Sequence, residues 1–142
     1  MSSLEATPEI RAVLDHTALH SYARGHVHVG ELFGEVTMEE SALVAIPSVA
    51  LLEAHARCID DPHAKSLLNY MVTLPGATVL DLDLPTVPEA AGYVRTMRGN
   101  LSRAHTAWAA GAYETLCVTT EPEAYPEQVL QDQVVVIPTK DA

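Results

Sequence analysis

Short apolar runs of strand length alternate along the chain with longer segments in which apolar residues recur at helical spacing. The apolar runs predict strands at residues 10–14, 43–46, 77–82, 115–119 and 134–137. The segments between them predict helices at residues 17–24, 28–36, 48–59, 62–72, 86–98 and 101–111. Because strands that alternate with helices form parallel sheets, the pattern predicts an α/β fold with a mainly parallel sheet covered on both faces.

The third predicted helix has two local features. Ser48 stands where a hydroxyl side chain can cap the first turn. The apolar residues at helical spacing along this helix are Val49, Leu52, Ala56 and Ile59.

Composition indicates one ordinary globular domain of 142 residues, predicted over residues 1–142. Hydrophobic residues make up 48% and charged residues 19%. Since no run of about eighteen apolar residues occurs and the start lacks the pattern of a secretory signal, we expect a soluble cytoplasmic protein without a membrane span. Cys58 and Cys117 lie in apolar surroundings, which predicts small core residues rather than a disulfide.

The formal net charge is −11, with eight Lys and Arg residues. This balance excludes a broad cationic surface of the kind that attracts nucleic acids. It is compatible with a carboxylate-rich site for a divalent metal or with a basic partner protein.

Three acidic residues are predicted to meet at one edge of the sheet. Asp15 directly follows the first strand, Glu121 follows the fourth, and Glu53 lies on the apolar side of the third helix. Clustered carboxylates are the usual ligands of Mg²⁺ and Mn²⁺. Each acid also has a structural alternative: a helix cap for Asp15, an ion pair with Arg57 for Glu53, and an exposed turn for Glu121.

Three segments together resemble the PIN domains, a family of small metal-dependent ribonucleases. They are "VLDHTAL", "IPSVALLEAHA" and "NLSRAHTAWAAGAYETLCVTTEPEAY", and the resemblance extends over about residues 10–137. It implies a three-layer α/β/α sandwich with a central mainly parallel sheet and an activity that uses Mg²⁺ or Mn²⁺. It assigns Asp15 and Glu53 as metal-binding acids, with Thr17 supporting the site through its hydroxyl.

The closing segment departs from the family pattern, because Asn100 and Glu121 stand where family members place aspartates. Asn100 offers a metal a carbonyl oxygen without charge, and it is also well suited to cap the helix that follows. The predicted metal ligands are Asp15, Glu53, Asn100 and Glu121, and the three acids among them are the predicted catalytic residues.

Arg95, Arg98 and Arg103 bracket Asn100 and are candidate contacts for RNA phosphates, with a solvated helix end as the alternative. Two functions therefore remain open. The first is a ribonuclease that hydrolyses RNA, silenced as a toxin by an antitoxin protein. The second is a PIN-like domain without activity that binds protein or RNA. The resemblance also implies a homodimer.

Overall fold

The computed structural model describes residues 8–39, 41–130 and 133–139. Five strands form one sheet in the order β3-β2-β1-β4-β5, and every neighbouring pair is parallel. The strands are β1 Glu9–Leu14, β2 Ala42–Pro47, β3 Ala77–Leu80, β4 Leu116–Thr119 and β5 Val134–Val136. The predicted parallel sheet is confirmed, and each predicted strand lies within two residues of its observed bounds.

Helices cover both faces of the sheet, which gives the predicted three-layer sandwich. Along β1 the side chains alternate: Ala12 and Leu14 face the core under the first four helices, whereas Val13 faces the opposite side, where α6 packs. The helices are α1 His16–Ala23, α2 His28–Thr37, α3 Ser48–Arg57, α4 Pro62–Met71, α5 Thr86–Ala91, α6 Leu101–Ala112 and α7 Glu127–Leu130, with a short 3-10 turn at Pro122–Ala124.

The predicted helix over residues 86–98 is wrong in its second half, because α5 ends at Ala91. Residues 92–94 bond three positions back, as in the Val94 N–H to Ala91 carbonyl contact of 3.1 Å, so the chain continues in tight turns instead of an α-helix. Arg98 and Gly99 then have φ angles of 56° and 82°. A right-handed helix cannot continue through that left-handed backbone.

The prediction for α3 was wrong in two respects. Ser48 is not a cap, because its hydroxyl accepts a hydrogen bond from the distant Leu82 N–H at 3.2 Å. The row of apolar residues is not the buried side either, since Leu52 is 67% exposed. Ala50 and Ala54 are fully buried instead, because these small side chains allow α3 to pack closely against its neighbours.

Cys58 and Cys117 are both buried and free of disulfides, as predicted. In the part of the chain that the structure describes, no helix is long and apolar enough to cross a membrane.

Candidate functional site

Asp15 follows β1 directly and caps α1. Its Oδ1 accepts hydrogen bonds from the N–H groups of Thr17 (2.9 Å) and Ala18 (3.0 Å) and from the Thr17 hydroxyl (2.6 Å). Its Oδ2 accepts a hydrogen bond from the phenol of Tyr125 at 2.7 Å. Asp15 is 0% exposed, so both oxygens of this buried carboxylate are bonded within the protein.

Thr17 connects the end of β1 to the end of β4. Since its hydroxyl donates to Asp15, the Thr119 hydroxyl 3.1 Å away is the donor of the second bond. Thr17 Oγ1 also accepts from the Thr120 N–H at 2.9 Å, and Thr119 Oγ1 accepts from the Glu121 N–H at 3.0 Å. The carboxyl ends of two neighbouring strands are thereby held together by side chains.

Glu53 projects from α3 with 23% of its side chain exposed. Its Oε2 accepts from Arg57 Nε (3.0 Å) and Nη2 (2.8 Å), and the buried His16 places Nε2 3.3 Å from the same oxygen. Its Oε1 accepts from the Ser102 hydroxyl. Partial burial raises the pKa of this carboxyl, but the hydrogen bonds from Ser102 and Arg57 outweigh burial, so the pKa lies below its ordinary value.

Ser102 is a residue that the sequence pattern did not mark. Its Oγ lies 2.9 Å from Asn100 Oδ1 and 3.2 Å from His16 Nδ1, besides its bond to Glu53. Asn100 caps α6 as predicted, because its Oδ1 accepts from the Arg103 N–H at 2.9 Å. A hydroxyl has one proton, so Ser102 donates to either Glu53 Oε1 or Asn100 Oδ1 at one time, and the charged Glu53 is the stronger acceptor.

Glu121 is 48% exposed and forms an ion pair with the guanidinium of Arg103, whose side chain is 16% exposed. Arg103 is therefore a counter-ion of Glu121 within the chain, and its contact with RNA stays a prediction. Arg95 and Arg98 are both exposed. Their contact with RNA stays a prediction.

Two buried groups next to Asp15 keep the protonation state that the network needs. Burial raises the pKa of the Tyr125 phenol, and the charge of Asp15 raises it further, so the phenol retains the proton that it donates. Burial lowers the pKa of the His16 imidazole although Asp15 and Glu53 act in the opposite direction, so His16 is neutral at pH 7.

The four predicted metal ligands share one hydrogen-bonded network, but they do not form a carboxylate cage. Among the described residues, no group of three or more His, Cys, Asp and Glu is placed to hold a metal ion. Tyr125 and Arg103 are bonded to Asp15 and Glu121. A three-carboxylate metal centre does not fit this arrangement, and the assignment of the four ligands stays a prediction.

Solved structures of other proteins share this fold. VapBC2 from Rickettsia felis, crystallised with a DNA fragment from their promoter, is 15% identical with a TM-score of 0.60, and the match covers 91% of this chain and 98% of that one. PAE2754 from Pyrobaculum aerophilum is 17% identical with a TM-score of 0.57, and the match covers 92% of both chains. No protein-family model and no curated protein matches the chain. At this identity the likeness concerns the fold alone, and it shows that the chain has a PIN-like fold.

Proposed function

We propose that this chain is a PIN-like domain that works by binding a protein partner, and that its acidic edge is a structural network. The observation that carries the proposal is the internal bonding of every acid predicted for the site. A metal-dependent nuclease needs carboxylate oxygens that can bind its ions. Here the bonding partners of Asp15, Glu53 and Glu121 are Tyr125, Arg57 and Arg103, respectively.

Charge favours a protein partner over RNA. A net charge of −11 repels phosphates, whereas it attracts a basic protein surface. The VapBC2 neighbour supports an antitoxin-like protein as the partner. The homodimer implied by the resemblance remains a prediction, and sedimentation velocity measures it directly.

A metal-dependent ribonuclease is the second candidate, and a group of three neighbouring oxygens in the network favours it. Glu53 Oε1, Ser102 Oγ and Asn100 Oδ1 are three neighbouring oxygens that share a single hydroxyl proton. Oxygen atoms are the ligands that Mg²⁺ and Mn²⁺ take, although only one of these three carries charge. An ion bound there would supply a water of lowered pKa as the attacking group. Arg95, Arg98 and Arg103 are the candidate phosphate contacts in this case.

Metal titration and RNA cleavage separate the two candidates. Calorimetric titration of the purified protein with Mn²⁺ should show no saturation up to about 1 mM, the weak end of carboxylate sites. Incubation with RNA and either Mg²⁺ or Mn²⁺ should give no cleavage above that of the Asp15→Asn variant. Cleavage that Asp15→Asn abolishes would establish the ribonuclease and contradict the binding module.

The Asn100→Asp variant tests whether the three neighbouring oxygens of Glu53, Ser102 and Asn100 bind metal. It adds a charge beside Glu53 and Ser102, so it should bind Mn²⁺ more tightly than the natural protein. Asn69→Asp is the matched control, because it adds the same charge at an exposed residue of α4 outside the network. Equal Mn²⁺ binding by the natural protein and Asn100→Asp would show that these three oxygens do not bind metal.

A further inference from the structure

A cavity of about 190 Å³ lies where the first turn of α3 meets α5 and α6. Its walls are apolar and include Val49, Val87, Ala91 and Leu101. Val87 and Leu101 are 45% and 63% exposed, so the cavity opens at the surface among apolar side chains.

The apolar surface continues beyond this cavity along α3. A second depression is lined on one side by Leu52 together with Val49 and Leu101, which also line the first, and on the other side by Glu53, Asn100 and Ser102 of the acidic network. Leu52 belongs to the row on α3 that was predicted to be buried and is instead exposed. We call the continuous surface from Leu52 through Leu101 to Val87 the apolar groove. Exposed apolar surface of this extent commonly marks an interaction site.

His105 adds a polar group to the wall of the cavity. It is 1% exposed, and its Nδ1 accepts a long hydrogen bond of 3.5 Å from the Val49 N–H. Burial lowers the pKa of the imidazole, so the neutral ring carries its one proton on Nε2. That Nε2 is buried and has no hydrogen-bond partner among the described residues. A buried donor without an acceptor is unfavourable, so a ligand that brings an acceptor to this nitrogen would bind more tightly.

The size of the cavity indicates a side chain as its occupant. Pockets for small molecules usually measure roughly 300–1,000 Å³, whereas 190 Å³ is closer to the size of one large apolar side chain. A backbone carbonyl beside that side chain is the natural acceptor for His105. Because helical carbonyls are already bonded within the helix, the segment that enters the groove is extended.

Charge at the rim distinguishes a foreign partner from a second copy. Asp81 and Asp83 are exposed on either side of Leu82, another residue of the cavity wall, and both act electrostatically on His105. A symmetric dimer through this groove would bring the acids of both copies into one interface, where like charges are unfavourable. Basic side chains would be attracted instead.

We propose that the apolar groove binds an extended amphipathic segment of a partner protein. The segment places one apolar side chain in the cavity, a carbonyl oxygen at His105 Nε2, and basic side chains beside Asp81 and Asp83. This inference rests on the proposed function, since it names the surface and the chemistry through which the binding module would act.

Random twelve-residue peptides displayed on phage and selected on the full-length protein test the inference. The enriched peptides should carry a large apolar residue flanked by Lys or Arg. Fluorescence anisotropy then gives the Kd of a selected peptide for each variant. Ala91→Leu, which fills the cavity from its exposed wall, and Leu101→Glu should each weaken binding about tenfold or more.

Charge and location controls complete the measurement. Asp81→Asn should weaken binding about threefold at low salt and less at high salt. Met38→Glu should leave the Kd unchanged, because Met38 is 87% exposed at the end of α2, before β2 begins and therefore at the opposite edge of the sheet.

Three outcomes would overturn the inference. They are no enrichment, enrichment of peptides without basic residues, and binding that Ala91→Leu and Leu101→Glu leave intact. Sedimentation velocity supplies a further test, because a dimer that Leu101→Glu dissociates would mean that a second copy occupies the groove. The Mn²⁺ titration uses the natural protein without any peptide, so failure here leaves the test of the proposed function standing.

Discussion

The acidic network and the apolar groove meet at Glu53 and Leu52, which are consecutive residues of α3, yet they differ in whether their groups have partners. In the network, the carboxylates of Asp15, Glu53 and Glu121 are all bonded to other side chains of the chain. In the groove, large apolar side chains are exposed and a buried His105 nitrogen lacks an acceptor. A carboxylate that is already bonded gains less from a ligand than an exposed apolar side chain does, so the difference favours binding in the groove.

The same difference predicts how each region affects stability. Bonds inside the network form on folding and are lost on unfolding, so removing one should destabilise the protein. Groove residues gain little from folding because they remain exposed, so they should affect binding more than stability.

Among residues of the network and the groove, the largest expected effect on stability comes from Tyr125→Phe, which keeps the ring but removes the donor to Asp15 Oδ2. A buried charged oxygen without its hydrogen bond should lower the free energy of unfolding by about 2 kcal/mol, measured by urea denaturation. Tyr113→Phe is the matched control, because Tyr113 is 46% exposed, and it should change stability little. Equal effects of the two variants would mean that the bond to Asp15 contributes nothing.

Leu52→Gln and Leu101→Gln test how much the groove contributes to stability. Both side chains are more than half exposed, so each variant should stay within about 0.5 kcal/mol of the natural protein in urea denaturation. Leu68→Ala, at a fully buried position, should cost about 2–5 kcal/mol in the same experiment. A loss of that size from Leu52→Gln would show that the groove belongs to the folded core.

The smallest effect concerns pH and His105. Burial holds its folded-state pKa below the ordinary 6.5, although Asp81 and Asp83 act in the opposite direction. Between those two pKa values the unfolded chain binds more protons, so stability should fall as the pH drops through this window. His16 and His20 have pKa values lowered in the same direction and add to the slope.

His105→Gln should therefore make that slope shallower. Urea denaturation between about pH 7.5 and pH 5.5 measures it, because this range brackets the ordinary pKa of histidine. A slope that is unchanged in His105→Gln would contradict burial as the cause of the shift.

The sequence was sufficient for the fold because apolar runs and helical spacing are local signals. It placed Asp15 and Glu121 at strand ends correctly, and Asn100 at the start of a helix. The bonding partners were not predictable, since Tyr125 lies 110 positions from Asp15 and Ser102 lies 49 positions from Glu53. Only the folded chain brings these residues together.

The exposed row on α3 was misread for a related reason. Periodicity shows that Val49, Leu52 and Ala56 share a side of the helix, but it does not show which side faces the core. The small residues Ala50 and Ala54 occupy the buried side because they permit closer packing.

The unfolding free energy of Asp15→Asn tests the central claim most directly. Asparagine keeps an acceptor for the cap of α1 but removes the charge bonded by Tyr125, so a structural network predicts a loss of about 1 kcal/mol. In a metal site held open by repelling carboxylates, neutralising one acid relieves repulsion and raises stability. A destabilised Asp15→Asn variant in metal-free urea denaturation is the result we predict, and a stabilised variant would contradict the account.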